Sequence, residues 1–464
     1  MLAKWFTLLG MLEIVGGPGC VRYSPMPLPE PNTVARRGAP DLERLKVRAA
    51  ELEHPLLRPV ELDLDDGLSP DEAAVLAVLA NPGLLAERDA HDQVSAQLVA
   101  AGLLPNPIFS AEVDDPRGKR SEGTVRQTDL RAQLDLGSLI GRAVRVAGAK
   151  ARLKAVDLGI AWEEWQTAQA ARLTTARLAM LKRRLGLVRD ELLFQERTVS
   201  RLDTAIQRGD VTVQEAVIHR SALERLRGVE ADLEQASAST RSRLNFLLGL
   251  PPRTVIPATI PAPEADTVPS VPAGPDLVAR AMKSRLDLRA LERGYEAQEA
   301  SLREAVLAQF PSVSIGISRQ RNETAIRFLG GFVNLELPIF NRGRAAVRLE
   351  EATRARLRHE YDLRIAQVRA DIGRLVDEDA ILEGWIAEAR DSAGALKTLE
   401  SAVRAAVAGG DADRLAWQEI RASLVDVRLR LARASQARLE TRIALETAVG
   451  EPVVPVPGEE EKKK

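Results

Sequence analysis

The 464-residue chain has one cysteine, four histidines and only 3% aromatic residues. A lone thiol excludes an intramolecular disulfide framework and a multi-cysteine metal site. His54, His91, His219 and His359 are scattered without ligand spacing, and the five methionines form no stripe. Few aromatics argue against an enzyme-like globule. No phosphate loop, nucleophile elbow or zinc helix motif appears, so neither catalysis nor a cofactor is expected. Beyond the first residues, no stretch approaches the ~20 apolar residues that cross a bilayer as a helix, so any membrane-spanning part must be built of strands. An excess of one charge is missing too. The 65 basic and 66 acidic residues nearly cancel and are interspersed, leaving no basic face for nucleic acid.

What is present begins with an export signal over residues 1–20. Lys4 supplies the positive start, Trp5 to Met11 the apolar run, and Gly16, Gly17 and Gly19 lead to Cys20. Gly17-Pro18-Gly19-Cys20 resembles a bacterial lipoprotein cleavage box, although Leu would be usual where Gly17 stands. Cys20 is therefore the candidate lipid-attachment residue; the alternative is a cut nearby and an idle thiol. Residues 21–68, rich in Pro and charge from Ser24 to Pro59, read as an extended arm.

A first repeat is expected over 69–252. Ser69-Pro70-Asp71-Glu72 predicts a helix start, with Ser69 as cap, Pro70 in the first turn and Glu72 three residues after the cap. The helix runs with interruptions to about Leu104 and stops at Pro105-Asn106-Pro107. The period then changes from 3.6 to 2. After a shorter strand, Ile108 to Val113, the segment Val125 to Leu136 alternates Thr128, Leu130, Ala132, Leu134 and Leu136 with Asp129, Arg131, Gln133 and Asp135. Gly141 to Gln207 reads as one very long helix. Its seam of Leu178, Leu181, Leu185, Val188, Leu192, Val199, Leu202 and Ile206 steps by three and four, with Gln195 in the one open position. Arg208-Gly209-Asp210 turns the chain into a returning helix, and a Pro-rich linker, 253–275, closes the half.

Residues 276–452 repeat the pattern: a helix to Gln309, a strand from Ser312 to Ser318, a strand from Ile326 to Leu337, then a second long helix and its return. The seam recurs at Leu382, Ile386, Ala389, Ala393, Leu396, Val403 and Val407, about 201 residues after its counterparts, and Gly410-Asp411 repeats Gly209-Asp210. Residues 453–464 form a charged tail. The fold class expected is mainly α with a small β part, duplicated. Strands in lipid must close into a barrel, and four are too few. Several copies would have to share one, with Asp129, Arg131, Gln133 and Asp135 lining a wet lumen and Leu130, Leu134 and Leu136 meeting lipid.

Over roughly residues 70 to 452 the chain resembles the TolC-type outer-membrane efflux channels. The resemblance rests on Asn81-Pro82-Gly83-Leu84, Leu104-Pro105-Asn106-Pro107, Leu335-Glu336-Leu337-Pro338-Ile339-Phe340-Asn341-Arg342-Gly343 and the two Gly-Asp turns. It implies a homotrimer with a twelve-stranded barrel in the outer membrane and a helical barrel across the periplasm, partnered by a periplasmic adaptor and an inner-membrane pump. It also implies a periplasmic pinch near the second turn of each repeat, where members often carry a Gly followed six residues later by an acid. Glu215 holds that place after Gly209, whereas Ala416 holds it after Gly410. The gate candidates are thus Asp210, Glu215, Asp411, Asp413 and Arg414, the alternative being that they are solvated caps. A duct for small molecules or metal ions competes with a type I protein-secretion duct and with a lipid-anchored periplasmic coiled-coil scaffold lacking a pore.

Overall fold

Ser69 and Glu72 form the capping box that their spacing predicts. The Glu72 amide donates to Ser69 Oγ at 3.3 Å, and the Ser69 amide donates to Glu72 Oε2 at 2.8 Å. Glu72 is buried yet satisfied, because its Oε1 also accepts from the Asp63 amide at 2.8 Å. The computed structural model describes residues 23–35, 38, 40–117, 123–260, 271–340, 342–411 and 413–453. Cys20, Asn341 and residues 454–464 of the charged tail lie outside them, whereas Val453 is buried in a core.

The first 39 residues form a unit of their own, in which Pro31–Ala35 is a short helix, α1. The second unit, from Pro40 onward, opens with α2, Leu42–Ala50, inside the segment expected to be extended. Asp41 caps this helix by accepting from the Arg44 amide, and Leu45 and Ala49, four apart on one face, enter the core. Then follow α3, Pro70–Ala80, α4, Pro82–Gly102, and the strands β1, Ile108–Asp114, and β2, Gln127–Asp135. Helix α5, Gly137–Arg208, is 72 residues long, about 108 Å at 1.5 Å per residue, and returns as α6, Val213–Leu247. The second half comprises α7, Gly274–Ser284, α8, Leu286–Leu307, β3, Ser312–Arg321, β4, Arg327–Glu336, α9, Arg344–Gly409, and α10, Arg414–Val449. Leu136, Ile326 and Leu337 fall just outside the strands expected to contain them.

The duplication reaches the packing. One core contains Ala73, Ala77, Ala171, Leu244 and Leu248; the other contains Leu277, Ala281, Ile372, Leu445 and Val449. These are the same five places, about 204 or 201 residues apart. Volume is redistributed between them: alanine at 73 and 171 becomes leucine at 277 and isoleucine at 372, while Leu248 becomes the smaller Val449. In the first core, additional side chains from Leu45, Ala49 and Leu62 fill the space.

The helix expected from 276 to 309 is broken at Arg285, as the earlier helix is broken at Asn81, and both residues have extended backbone there. Asn81 accepts from the Gly83 amide at 2.8 Å and donates to the Leu247 carbonyl at 3.0 Å. Arg285 donates to the Ala448 carbonyl at 2.7 Å and to Asp287 at 2.6 and 2.9 Å. Its guanidinium also lies 4.4 Å from the Trp162 ring centroid. Leu247 and Ala448 are equivalent positions, so an amide in one half and a guanidinium in the other both tie the helix break to the end of the returning helix. Gly249 and Gly450 follow these carbonyls with φ of 63° and 81°, packed against Ala80 and Arg285 respectively.

All neighbouring strands are antiparallel, in the order β1-β2-β3-β4, so the two halves meet at the centre of one sheet and β1 and β4 are its edges. The seam of α5 packs on α6 through Leu181, Leu185, Val188, Leu192 and Val199 against Leu223, Leu226, Val229 and Leu233. Leu178 instead belongs to the first core. Along α9 the seam positions Leu382, Ile386, Ala389, Ala393, Leu396, Val403 and Val407 are all shielded.

The two breaks differ in what a truncation leaves behind. Asn81→Ala removes a cap and is expected to cost about 1 kcal/mol. Arg285→Ala leaves the buried Asp287 carboxylate with the Leu288 amide and Arg364 as its remaining donors, and is expected to cost about 3 kcal/mol. Thermal unfolding of the purified full chain checks this; equal losses would contradict the assignment.

Candidate functional site

Residues paired across antiparallel strands project to the same face, so the register sorts every strand residue. One face carries Ser110, Glu112 and Asp114 of β1, all the odd-numbered residues of β2, Ser314, Ser318 and Gln320 of β3, and Asn334 and Glu336 of β4. The other carries Phe109, Ala111, Val113, Thr128, Leu130, Ala132, Leu134, Val313, Ile315, Ile317, Leu329, Val333 and Leu335. Nothing in the described residues covers this apolar face: Leu329 is 83% exposed and Ile317 65%. A contiguous apolar surface of this kind marks contact with another chain or with lipid. Phe328 and Phe332 lie on the polar face, and the Phe332 ring covers Gly316, where a side chain would also meet the Ala132 carbonyl at 2.6 Å.

The four lining candidates Asp129, Arg131, Gln133 and Asp135 share the polar face, but they are not four free groups. Asp129 is only 5% exposed and accepts from Arg131 Nε at 2.9 Å and Nη2 at 2.5 Å. Gln133 Oε1 accepts from Asn334 Nδ2 at 3.4 Å across the sheet. Asp135 accepts from the Gly137 amide at 2.9 Å, so it shapes the turn into α5.

At the opposite end of the long helices lie the two turns. Gly209 and Gly410 take the left-handed conformation, with φ of 78° and 85°. The amides of Asp210 and Asp411 donate to the carbonyls of Ala205 and Ala406 at 3.0 and 2.9 Å, closing each helix in the same Schellman-like manner. Asp210, Asp411 and Asp413 are exposed, and Asp413 immediately precedes α10, accepting from the Trp417 amide through its carbonyl at 3.4 Å. Glu215 and Arg414 lie in the first turns of α6 and α10; their side chains, and hence any ion pair of Arg414, are outside the described residues. Ala416 is exposed.

Sequence reading missed a tie some 10–25 Å from the turns, judged by helical rise. Arg421 of α10 donates to Glu191 Oε2 of α5 at 3.1 to 3.2 Å, and its guanidinium lies 3.7 Å from the Phe194 ring centroid. Gln195 donates to Glu191 at 3.0 Å and faces His219 Nδ1 of α6 at 3.3 Å. Phe194 meets Trp417 edge to face at 5.6 Å, and Trp417 Nε1 donates to Glu400 of α9 at 2.7 Å. All four long helices are thus joined. Gln195 and Glu400 stand at polar gaps in the two seams, the only signal the sequence offered. Burial pushes the Glu191 carboxyl up from its ordinary value, and Gln195 and Arg421 reverse this only in part. Among the described residues no cluster could hold a metal ion and no helix is long and apolar enough to cross a membrane.

No protein-family model matches the chain, and no curated protein matches it. Several solved structures do match. The outer-membrane channel OprN is similar with a TM-score of 0.69 and 13% identity, over 90% of this chain and 98% of that one. The outer membrane protein VceC of Vibrio cholerae is similar with a TM-score of 0.65 and 16% identity, over 83% and 97%. The open state of the MtrE outer membrane channel of Neisseria gonorrhoeae is similar with a TM-score of 0.63 and 16% identity, over 87% and 97%. At these identities the likeness establishes the fold, mainly α with a small sheet, as the repeated motifs implied.

A carboxyl whose pKa is raised on folding adds stability below its unfolded value and loses it as pH rises through the folded one. Glu191→Gln keeps the shape and removes that titration. The unfolding midpoint of the parent, relative to Glu191→Gln, should therefore fall as pH rises above about 4.5. Parallel profiles between pH 4.5 and 7.5 would sink this reading.

Proposed function

We propose that three copies of the chain close one twelve-stranded barrel in an outer membrane, continued by the long helices as a tube through the periplasm. The assembly is then a passive efflux duct. The observation that carries this is the sheet: one polar face, one uncovered apolar face and two bare edges in a single four-stranded unit. An open edge leaves backbone donors and acceptors unsatisfied in lipid, and the smallest single-chain barrels have about eight strands. Three sheets of four supply enough to close around a lumen. The comparison with OprN, VceC and MtrE supports the same reading, since each is an outer-membrane protein and two are described as channels.

Asp129, Arg131, Gln133 and Asp135 then face the lumen, and their mutual bonding leaves the wall polar with little free charge. The turns at Gly209 and Gly410 form the periplasmic entrance. There Asp210, Glu215, Asp411 and Asp413 offer carboxylates that favour cations, with Arg414 beside them. The tie of Glu191, Gln195, His219, Arg421, Trp417 and Glu400 holds each protomer's two hairpins together behind that entrance. The chain carries no catalytic constellation or cofactor motif and no energy-coupling motif, so movement of small molecules or metal ions depends on an inner-membrane pump and a periplasmic adaptor. Cys20 would anchor the mature chain to lipid. A pore-free scaffold has no use for the apolar face.

The two faces give opposite responses to one substitution. Ile317→Arg places a charge in lipid at a cost of about 2–4 kcal/mol near the bilayer midplane and should abolish recovery of heat-resistant trimers from membranes. Ser318→Arg, on the other face, should preserve trimers and shift bilayer conductance toward anions. Equal tolerance of both would exclude the barrel. At the entrance, the Asp411→Ala/Asp413→Ala double variant should lose cation preference; unchanged conductance and selectivity would leave those residues as caps only.

A further inference from the structure

The apolar face carries no carboxylate. Glu112, Asp114, Asp129, Asp135 and Glu336 all fall on the polar face by register. The only charges on the apolar face are three arginines, Arg319, Arg321 and Arg327, and all lie at one end. Arg321 pairs with Arg327 and lies in the same row as Val113 and Thr128; Arg319 sits between Leu130 and Leu329. Among the described residues none of the three has a salt-bridge partner, and the Nε of Arg321 is enclosed without an acceptor. By contrast Arg126, in the neighbouring loop, reaches Asp115 at 3.5 Å.

Their height is as informative as their sign. The helices join the strands at the end marked by Val313 and Leu335, so the arginines stand at the far end, beside the hairpin loops. From Val313 to Arg321 is about 26 Å along the strand, or about 20 Å along a barrel axis after strand tilt. That is close to the height of the apolar band of a membrane barrel. Arginine stems can lie along such a band while the guanidinium groups reach the headgroup layer. Guanidinium binds phosphate oxygens in a bidentate manner.

We infer that Arg319, Arg321 and Arg327 form an outward-facing site for phosphate-bearing lipid headgroups of the outer leaflet, repeated on each protomer. This rests on the proposed barrel, which puts the loop end of the sheet outside the cell. Its occupant is a lipid, because the site is continuous with thirteen residues of the same apolar face.

The test uses the purified full chain in neutral detergent, titrated with bis-phosphorylated lipid A or with the same lipid stripped of phosphate, with binding read by native mass spectrometry. Basic residues near an anionic surface contribute about 1 kcal/mol each, roughly fivefold, so three predict a preference on the order of a hundredfold for the phosphorylated lipid. Arg319→Gln/Arg321→Gln/Arg327→Gln should erase the preference, and Arg126→Gln should keep it. Equal binding of both lipids, or a preference that survives the triple substitution, would overturn the site. So would competition by inorganic phosphate mole for mole, which would mark a free-anion site. Bilayer conductance of the same preparations separates the two proposals. A parent that prefers phosphorylated lipid without conducting keeps the lipid site and loses the duct; one that conducts without preference does the reverse.

Discussion

Backbone amides and carbonyls at a sheet edge must be satisfied, and in hydrocarbon only another strand can satisfy them. In the proposed barrel that requirement acts on β1 and β4. A four-stranded sheet sorted into polar and apolar faces cannot be stable alone on either side of a membrane surface: water is wrong for one face, lipid for the edges. The long helices share the dependence. Beyond their mutual seams, α9 presents mostly exposed residues to its surroundings, consistent with a wall that is completed by neighbouring copies.

Within one copy, duplication has been retained in geometry and relaxed in chemistry. The break at Asn81 and the break at Arg285 tie to equivalent carbonyls, yet one uses a neutral amide and the other a charged fork with its own carboxylate. The seams behave likewise. Each has one polar gap, and each gap bonds to the returning helix: Gln195, which also holds Glu191 on its own helix, toward His219, and Glu400 toward Trp417. The gaps interrupt hydrophobic packing where the two hairpins are bound to each other, so the polar positions specify which helices meet and at what height.

Local signals were legible in the sequence wherever one residue decides a conformation. Ser69 and Glu72 start a helix, Pro105 and Pro107 stop one, Gly209 and Gly410 reverse one, and strict alternation in β2 identifies both faces of the sheet. Less legible was α2, hidden by the surrounding prolines although Asp41 caps it. The break at Arg285 carried no proline or glycine and was read through as helix. Tertiary ties were invisible for a simpler reason: Glu191 and Arg421 are 230 positions apart, and nothing in either neighbourhood names the other. Alternation also could not say which polar residues are spoken for. Asp129 and Asp135 sit on the expected face, but one is held by Arg131 and the other by the turn into α5.

The strand order has a geometric corollary. The sheet ends in two unlike edges, β1 of seven residues and β4 of ten. Pairing like edges turns one copy end for end, so the helices of the two copies would leave opposite ends of the strands. Head-to-tail contact, β4 of one copy on β1 of the next, uses both edges of every copy with all helices at one end, and such contact ends only when the rotation per copy brings the chain of copies back on itself. The number of subunits is then a property of sheet twist and curvature rather than of any single interface residue. Substitutions that flatten or tighten the sheet would then act on ring size.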